Sequence, residues 1–317
     1  MRKFFCFALC LILFFTCSCS NKKESSDTRI LMNTVVTITA DCSMEIIDQA
    51  FDLCATLENK LSRTKENSDI WAINNSDTFV PVSNETIMLI NKARYYSEKT
   101  NGKFDVTVYP VSSLYDFTSK KLPSNEKIAA ALPLVDYKKI EVKGNSVCLK
   151  EGGIDFGGIA KGYIADCVVV FLKEKGVKSA IVNIGGNLYC FGKNEYKIGI
   201  KKPFENGIIA TVKGKEGAFV TSGIYERYIK ENDKIYHHII DPATGYGVEN
   251  DLAGVTVMCS SSADADALST ACMLLGGSDG IKLIDSCENT EAVLVKRDGS
   301  ILLSNGLIMK NGYIVYK

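Results

Sequence analysis

A chain of 317 residues with 37 Lys and Arg against 37 Asp and Glu, 46% hydrophobic and 23% charged, has a globular make-up and excludes a disordered or collagen-like polymer. Zero formal charge gives no electrostatic reason to expect a nucleic-acid binder, because non-specific phosphate affinity comes from clustered Lys and Arg, so an anionic ligand must be held locally. With His237 and His238 as the only imidazoles, a zinc or iron site built on several histidines is excluded within one chain, and a metal must be oxygen-ligated or held by cysteine.

In chain order, Arg2 and Lys3, an apolar run over 4–15 and Thr16-Cys17-Ser18-Cys19 form the three-part pattern of a secretory signal, too short for a comfortable membrane span. A small residue before cysteine, then polar Ser20-Asn21-Lys22-Lys23, resembles a bacterial lipoprotein signal. Ser18-Cys19 fits it better than Thr16-Cys17, and plain secretion is the alternative. The expected organisation is a signal over 1–18, a lipid on Cys19, a polar tether over 19–29 and one folded body over 30–317. That body would be anchored to the inner membrane on its periplasmic or outer face. Eight further cysteines, at 42, 54, 148, 167, 190, 259, 272 and 287, suit buried free thiols as well as disulfides.

The body reads as α+β. Residues 35–40 alternate like a strand, and 43–61 carry Ile46, Ile47, Ala50, Phe51, Cys54, Leu57 and Leu61 at helical spacing. A second helix is expected over 86–98 before Asn101-Gly102, and a third over 159–175 before Gly176. Short strands with Gly and Asn turns follow between 180 and 240, and a helix over 263–275 starts after three serines and stops at Gly276-Gly277. Tight turns between strands favour largely antiparallel sheets with flanking helices.

Three segments could carry chemistry. Asp155-Phe156-Gly157-Gly158-Ile159-Ala160-Lys161-Gly162 runs through glycines into a helix, a place where backbone can approach a phosphate and amides point at it; a plain strand-to-helix turn with a surface lysine reads equally well. Asp266 and Thr270 stand four apart on a helix, putting a carboxylate and a hydroxyl on one face in an arrangement suited to Mg²⁺ beside a substrate phosphate, although an acid in a first turn also serves the helix dipole. In Tyr236-His237-His238-Ile239-Ile240-Asp241-Pro242, a strand puts the two imidazoles on opposite faces, and no other side chain here moves protons near neutral pH unperturbed.

Together these segments resemble the FAD:protein FMN transferases, the ApbE-like flavin transferases. The resemblance extends in order through Met32-Asn33-Thr34, Lys60-Leu61-Ser62-Arg63, Gly102 to Thr107 with Pro110, Asp155 to Asp166, Asn183-Ile184-Gly185-Gly186-Asn187, Thr221-Ser222-Gly223, His238 to Gly245, and Ala265 to Ala271. It implies a two-lobed fold with the ligand between the lobes, and transfer of FMN from FAD to a threonine hydroxyl of an exported protein with release of AMP. That acceptor would be a subunit of a membrane redox complex. Residue by residue, the resemblance implies Asp266, Thr270 and the Gly158 carbonyl as Mg²⁺ ligands, Met32, Lys103, Phe104, Asp105, Asp155, Lys161 and Ile240 around FAD, and His238 as the base. The chain departs from the family at Asn33, where glycine is common, at Thr64, where an aromatic often lies near the flavin, and at Tyr115-Asp116-Phe117. Hydrolysis of FAD to FMN and AMP, and FAD binding without catalysis, are the competing functions.

Overall fold

The computed structural model describes residues 24–232 and 234–317; the expected leader with Cys17 and Cys19 lies outside them. An eight-stranded sheet, antiparallel at every pairing, runs in the order Ser25–Leu31, Thr34–Ala40, Ala180–Ile184, Asn187–Phe191, Gly217–Gly223, Leu252–Cys259, Glu291–Lys296, Ile301–Leu303. Its central strands bury both faces, with successive side chains going to opposite sides. Val220, Val255, Val257 and Leu294 join the core under helices Met44–Leu61, Ala160–Glu174 and Ser262–Leu275. Phe219, Met258, Val293 and Val295 pack instead on Ile200, Val212, Leu307 and Ile314 of a four-stranded sheet. A third, small core gathers Val111, Tyr115, Ile128 and Ile240.

The expected helices form within two residues of their sequence limits, and their caps explain the ends. Ser83 accepts the Thr86 N–H ahead of helix Asn84–Lys99, and Ser261 accepts the Asp264 N–H ahead of Ser262–Leu275. Gly276, at φ +83°, ends the latter, but the chain does not enter a loop there: helix Gly277–Asp285 begins at once. The polar segment expected as tether is also different from Ser25 onward. It is an edge strand paired along its length with Thr34–Ala40, and Ser26 and Thr28 share hydrogen bonds with Thr39 and Thr37 on the solvated face. A strand with one wet face has a linker's composition, which is why polarity alone misled.

Among the described residues, Cys54, Cys148, Cys167, Cys190, Cys259, Cys272 and Cys287 are free thiols. Burial pushes those of Cys54, Cys190 and Cys259 up to about 12, so they stay protonated and behave as small apolar groups.

Two helices meet where the site forms. A Cβ on Gly162 would stand 2.2 Å from the Ser262 carbonyl oxygen and 2.8 Å from the Ala263 Cα, so only glycine lets the first turns of Ala160–Glu174 and Ser262–Leu275 touch. Gly162→Ala, worth about 1 kcal/mol in favour of folding on an open helix, is expected to lower stability by about 2 kcal/mol net, since backbone cannot yield as a side chain does. Denaturant unfolding checks the sign.

Candidate functional site

The contact at Gly162 is fastened by an exchange of carboxylates. Asp166, on the first helix, accepts the Ser262 N–H at 2.7 Å and the Ala263 N–H and Ser261 hydroxyl at 3.0 Å each, capping the second helix. Asp266, on the second helix and 2% exposed, accepts the Gly162 N–H at 3.0 Å through Oδ2, serving the first turn of the first. Burial raises the Asp166 carboxyl, and its three donors oppose that. The two helix N-termini, each a source of positive dipole, are thereby fixed side by side.

Asp266 opens onto a cavity of about 640 Å³, a common size for a small-ligand site, at one end of the large sheet. Three sheet elements supply its rim: the turn at Met32 and Asn33, the turn at Gly185 and Gly186, and the strand end Thr221–Gly223. Met32 and Asn33 both adopt left-handed φ, +52° and +54°, as a two-residue hairpin turn demands. Asn33 tolerates that conformation better than most side chains, so the turn keeps its backbone shape without a glycine.

Of the residues singled out from sequence, Met32, Phe104, Asp105, Asp155, Gly158, Lys161, His238, Ile240, Asp266 and Thr270 all line this cavity. Lys103 does not: its ammonium pairs with Asp241 at 2.9 Å, beside Ile240. Asp105 reaches the lining, but its carboxylate is engaged by the Thr107 N–H and hydroxyl, both at 2.7 Å, and by the Tyr137 N–H at 3.0 Å, so it shapes the loop. Gly158 lies against Thr270, whose Oγ1 is 3.3 Å from where a Gly158 Cβ would be, and Thr270 Oγ1 is 3.3 Å from the Ser222 hydroxyl. Among the described residues no three His, Cys, Asp and Glu side chains are grouped to hold a metal. The corner offers a carboxylate, a hydroxyl and the Gly158 carbonyl, hard oxygens that could share a divalent cation with phosphate and water, with Asp266 Oδ1 left over from the Gly162 bond.

Positive charge is supplied locally despite the neutral chain. Arg63, Lys65, Lys161 and Arg227 line the cavity. Arg63 Nε pairs with Asp155 at 3.1 Å, Asp155 also accepts the Gly157 N–H, and Lys161 donates to the Gly157 carbonyl. Arg63 sits in a segment with a visible motif, whereas Arg227 carries no local sequence signal. Ring surface comes from Phe104, Phe156, Tyr115 and Phe117; the last two stack at 5.8 Å and 7°, and Thr64 adds none.

The two histidines diverge as strand alternation requires. His237 is buried, bonds the Val248 carbonyl through Nε2 at 3.0 Å, and is pushed by burial down to about 4. His238 lines the cavity, half-buried, edge-on to Phe117 at 6.5 Å. Its Nδ1 lies 3.3 Å from the Arg227 carbonyl, which also accepts the His238 backbone N–H. A carbonyl only accepts, so this bond puts the ring hydrogen on Nδ1 and leaves the Nε2 lone pair available. Burial first, then the Arg227 and Lys161 charges, hold the ring well below the usual imidazole range, hence neutral at pH 7.

Fold and cavity thus define an α+β ligand-binding protein with a neutral base and an oxygen-rich, cation-flanked corner in one cavity. The match of residues 32–294 to the ApbE family model places the chain in that family. It is 33% identical over 270 residues to a Klebsiella pneumoniae (strain 342) protein named FAD:protein FMN transferase, covering 82% of this chain and 85% of the relative. A Treponema pallidum (strain Nichols) protein of the same name is 28% identical over 289 residues, 83% and 80% of the two chains. The crystal structure of an ApbE protein from Thermotoga maritima superposes with a TM-score of 0.83 at 31% identity, covering 89% of this chain and 97% of that one.

Proposed function

We propose that this chain transfers the FMN half of FAD to a threonine hydroxyl of an exported protein, with Mg²⁺ and with release of AMP. The observation that carries this is His238: a neutral imidazole, tautomer fixed by the Arg227 carbonyl, in the same cavity as Asp266, Thr270 and Gly158. Mg²⁺ held by those three residues would neutralise the pyrophosphate and orient it. Arg63, Lys161 and Arg227 add fixed positive charge around the bridging phosphates, and the Tyr115–Phe117 pair with Phe104 offers ring surface to the flavin. His238 Nε2 takes the acceptor proton as the threonine oxygen bonds to the phosphorus on the FMN side. The bond from that phosphorus to the bridging oxygen breaks, and AMP leaves with the oxygen. The leader supports an envelope location, with Cys19 the lipid-bearing residue that would keep enzyme and acceptor at one membrane surface.

The test is mass spectrometry of exported proteins co-expressed with the chain, with Asp266→Ala as control. FMN on a threonine of a co-expressed protein, absent with the variant, is the expected result. Free FMN and AMP without protein-bound flavin would identify a hydrolase, and stoichiometric bound FAD without AMP a carrier.

A further inference from the structure

One segment that carries the family resemblance, Asn183-Ile184-Gly185-Gly186-Asn187, takes no part in the proposed chemistry. It forms the turn between strands Ala180–Ile184 and Asn187–Phe191, where Asn187 pairs with Ile184 on one side and with Val220 on the other. Strand alternation sends Leu188 toward the four-stranded sheet and keeps Asn187 on the helix-covered face with Tyr189, Phe191 and Val220. Ser222, two residues beyond Val220 on that same face, reaches the helix that bears Asp266. Its hydroxyl lies 2.8 Å from the Ser269 hydroxyl and 3.3 Å from Thr270 Oγ1. Asn187 lines the cavity together with Ser222, Asp266 and Thr270.

Asn187 is 1% exposed, and among the described residues its side-chain Nδ2 has no hydrogen-bond partner. Two other buried side-chain atoms among them share that condition, His237 Nδ1 and Ser262 Oγ, and neither residue lines the cavity. A buried donor without a partner is destabilising, so an amide at this position calls for a group that uses it. Its two N–H bonds suit an anionic oxygen, because they donate to negative charge and bring none of their own. The stacked rings of Tyr115 and Phe117, the surface suited to a flavin, belong to the small third core. The Asn187 wall, beside the oxygen-rich corner, is then the phosphate side.

We infer that Asn187 is a substrate-binding residue, whose side-chain amide donates to a pyrophosphate oxygen held at the Asp266–Thr270 corner. This inference rests on the reading of FAD as substrate. The ligand-free chain carries the destabilisation of the unpaired donor, and the bound dinucleotide relieves it.

Asn187→Leu keeps the branched shape and removes the donors, and Asn187→Ala removes them without asking for extra room. Without ligand, at least one of the two is expected to unfold at the native denaturant midpoint or above it, since no bond is lost. In flavin-fluorescence titration both are expected to bind FAD about 10- to 100-fold more weakly, with Mg²⁺ and with a chelator alike. Riboflavin, which has no phosphate, is expected to bind within about twofold of the native affinity. Native FAD affinity in the folded variants overturns the Asn187 inference alone, as does unfolding of both below the native midpoint, which makes the amide a structural donor. A loss shared by riboflavin assigns the amide to the flavin, and one confined to Mg²⁺ assigns it to water on the metal; each overturns the phosphate contact. A native chain that binds no FAD overturns the reading of FAD as substrate and the inference with it.

Discussion

Replacing His238 by alanine lowers FMN transfer by about 10²- to 10⁴-fold, the usual contribution of a positioned general base, and leaves FAD affinity within about twofold. The separation follows from geometry: the ring contributes an edge contact to Phe117 and a lone pair, not charge, to the cavity. Rapid-mixing assays of transfer alongside equilibrium FAD titration measure both, and unchanged transfer would remove His238 from the chemistry. The pH profile carries the same logic. A base with its pKa lowered by burial and by Arg227 keeps its lone pair as pH falls through 6.5, so the acid limb of the rate lies below the ordinary histidine range. The sign for stability is opposite in consequence. The unfolded chain takes up a proton below about 6.5 that the folded His238 refuses, so stability is lost as pH drops below that value.

Asp266→Asn is expected to reduce Mg²⁺-dependent turnover of FAD by about 10³-fold, corresponding to about 4 kcal/mol of lost charge stabilisation, with little change in melting temperature. The amide keeps an oxygen to accept the Gly162 N–H, so the helix junction survives while the charge is gone. Asp266→Ala is expected to lose both, because a buried N–H left without a partner costs about 1–3 kcal/mol. Calorimetric Mg²⁺ binding with calorimetric unfolding for the pair of variants separates the two roles. An Asn variant with native Mg²⁺ dependence would sink the ligand assignment.

Much of the site can be read from the sequence where its geometry is local. The one-turn spacing of Asp266 and Thr270 is a property of any α-helix, and the divergence of His237 from His238 is a property of any strand. The glycine segment at 157–158 likewise announces itself. Three features escape such reading. Lys103 belongs to a motif yet turns to Asp241, 138 positions away, and the Asp105 carboxylate is consumed by Thr107 and Tyr137. Arg227 matters through its carbonyl, an atom every residue carries, so no residue type could signal it.

The sequence by itself determines the elements and the chemistry they bear: period 3.6 for the helices, period 2 for the strands, and oxygen donors with two imidazoles on opposite faces. Only the tertiary structure decides that the first turns of Ala160–Glu174 and Ser262–Leu275 touch through Gly162 and trade Asp166 for Asp266. It alone brings the Arg227 carbonyl to His238. The reason is that local preferences act over a few residues, whereas these contacts join segments up to about a hundred positions apart. They exist only once the burial of a shared core has offset the entropy of closing the chain between them.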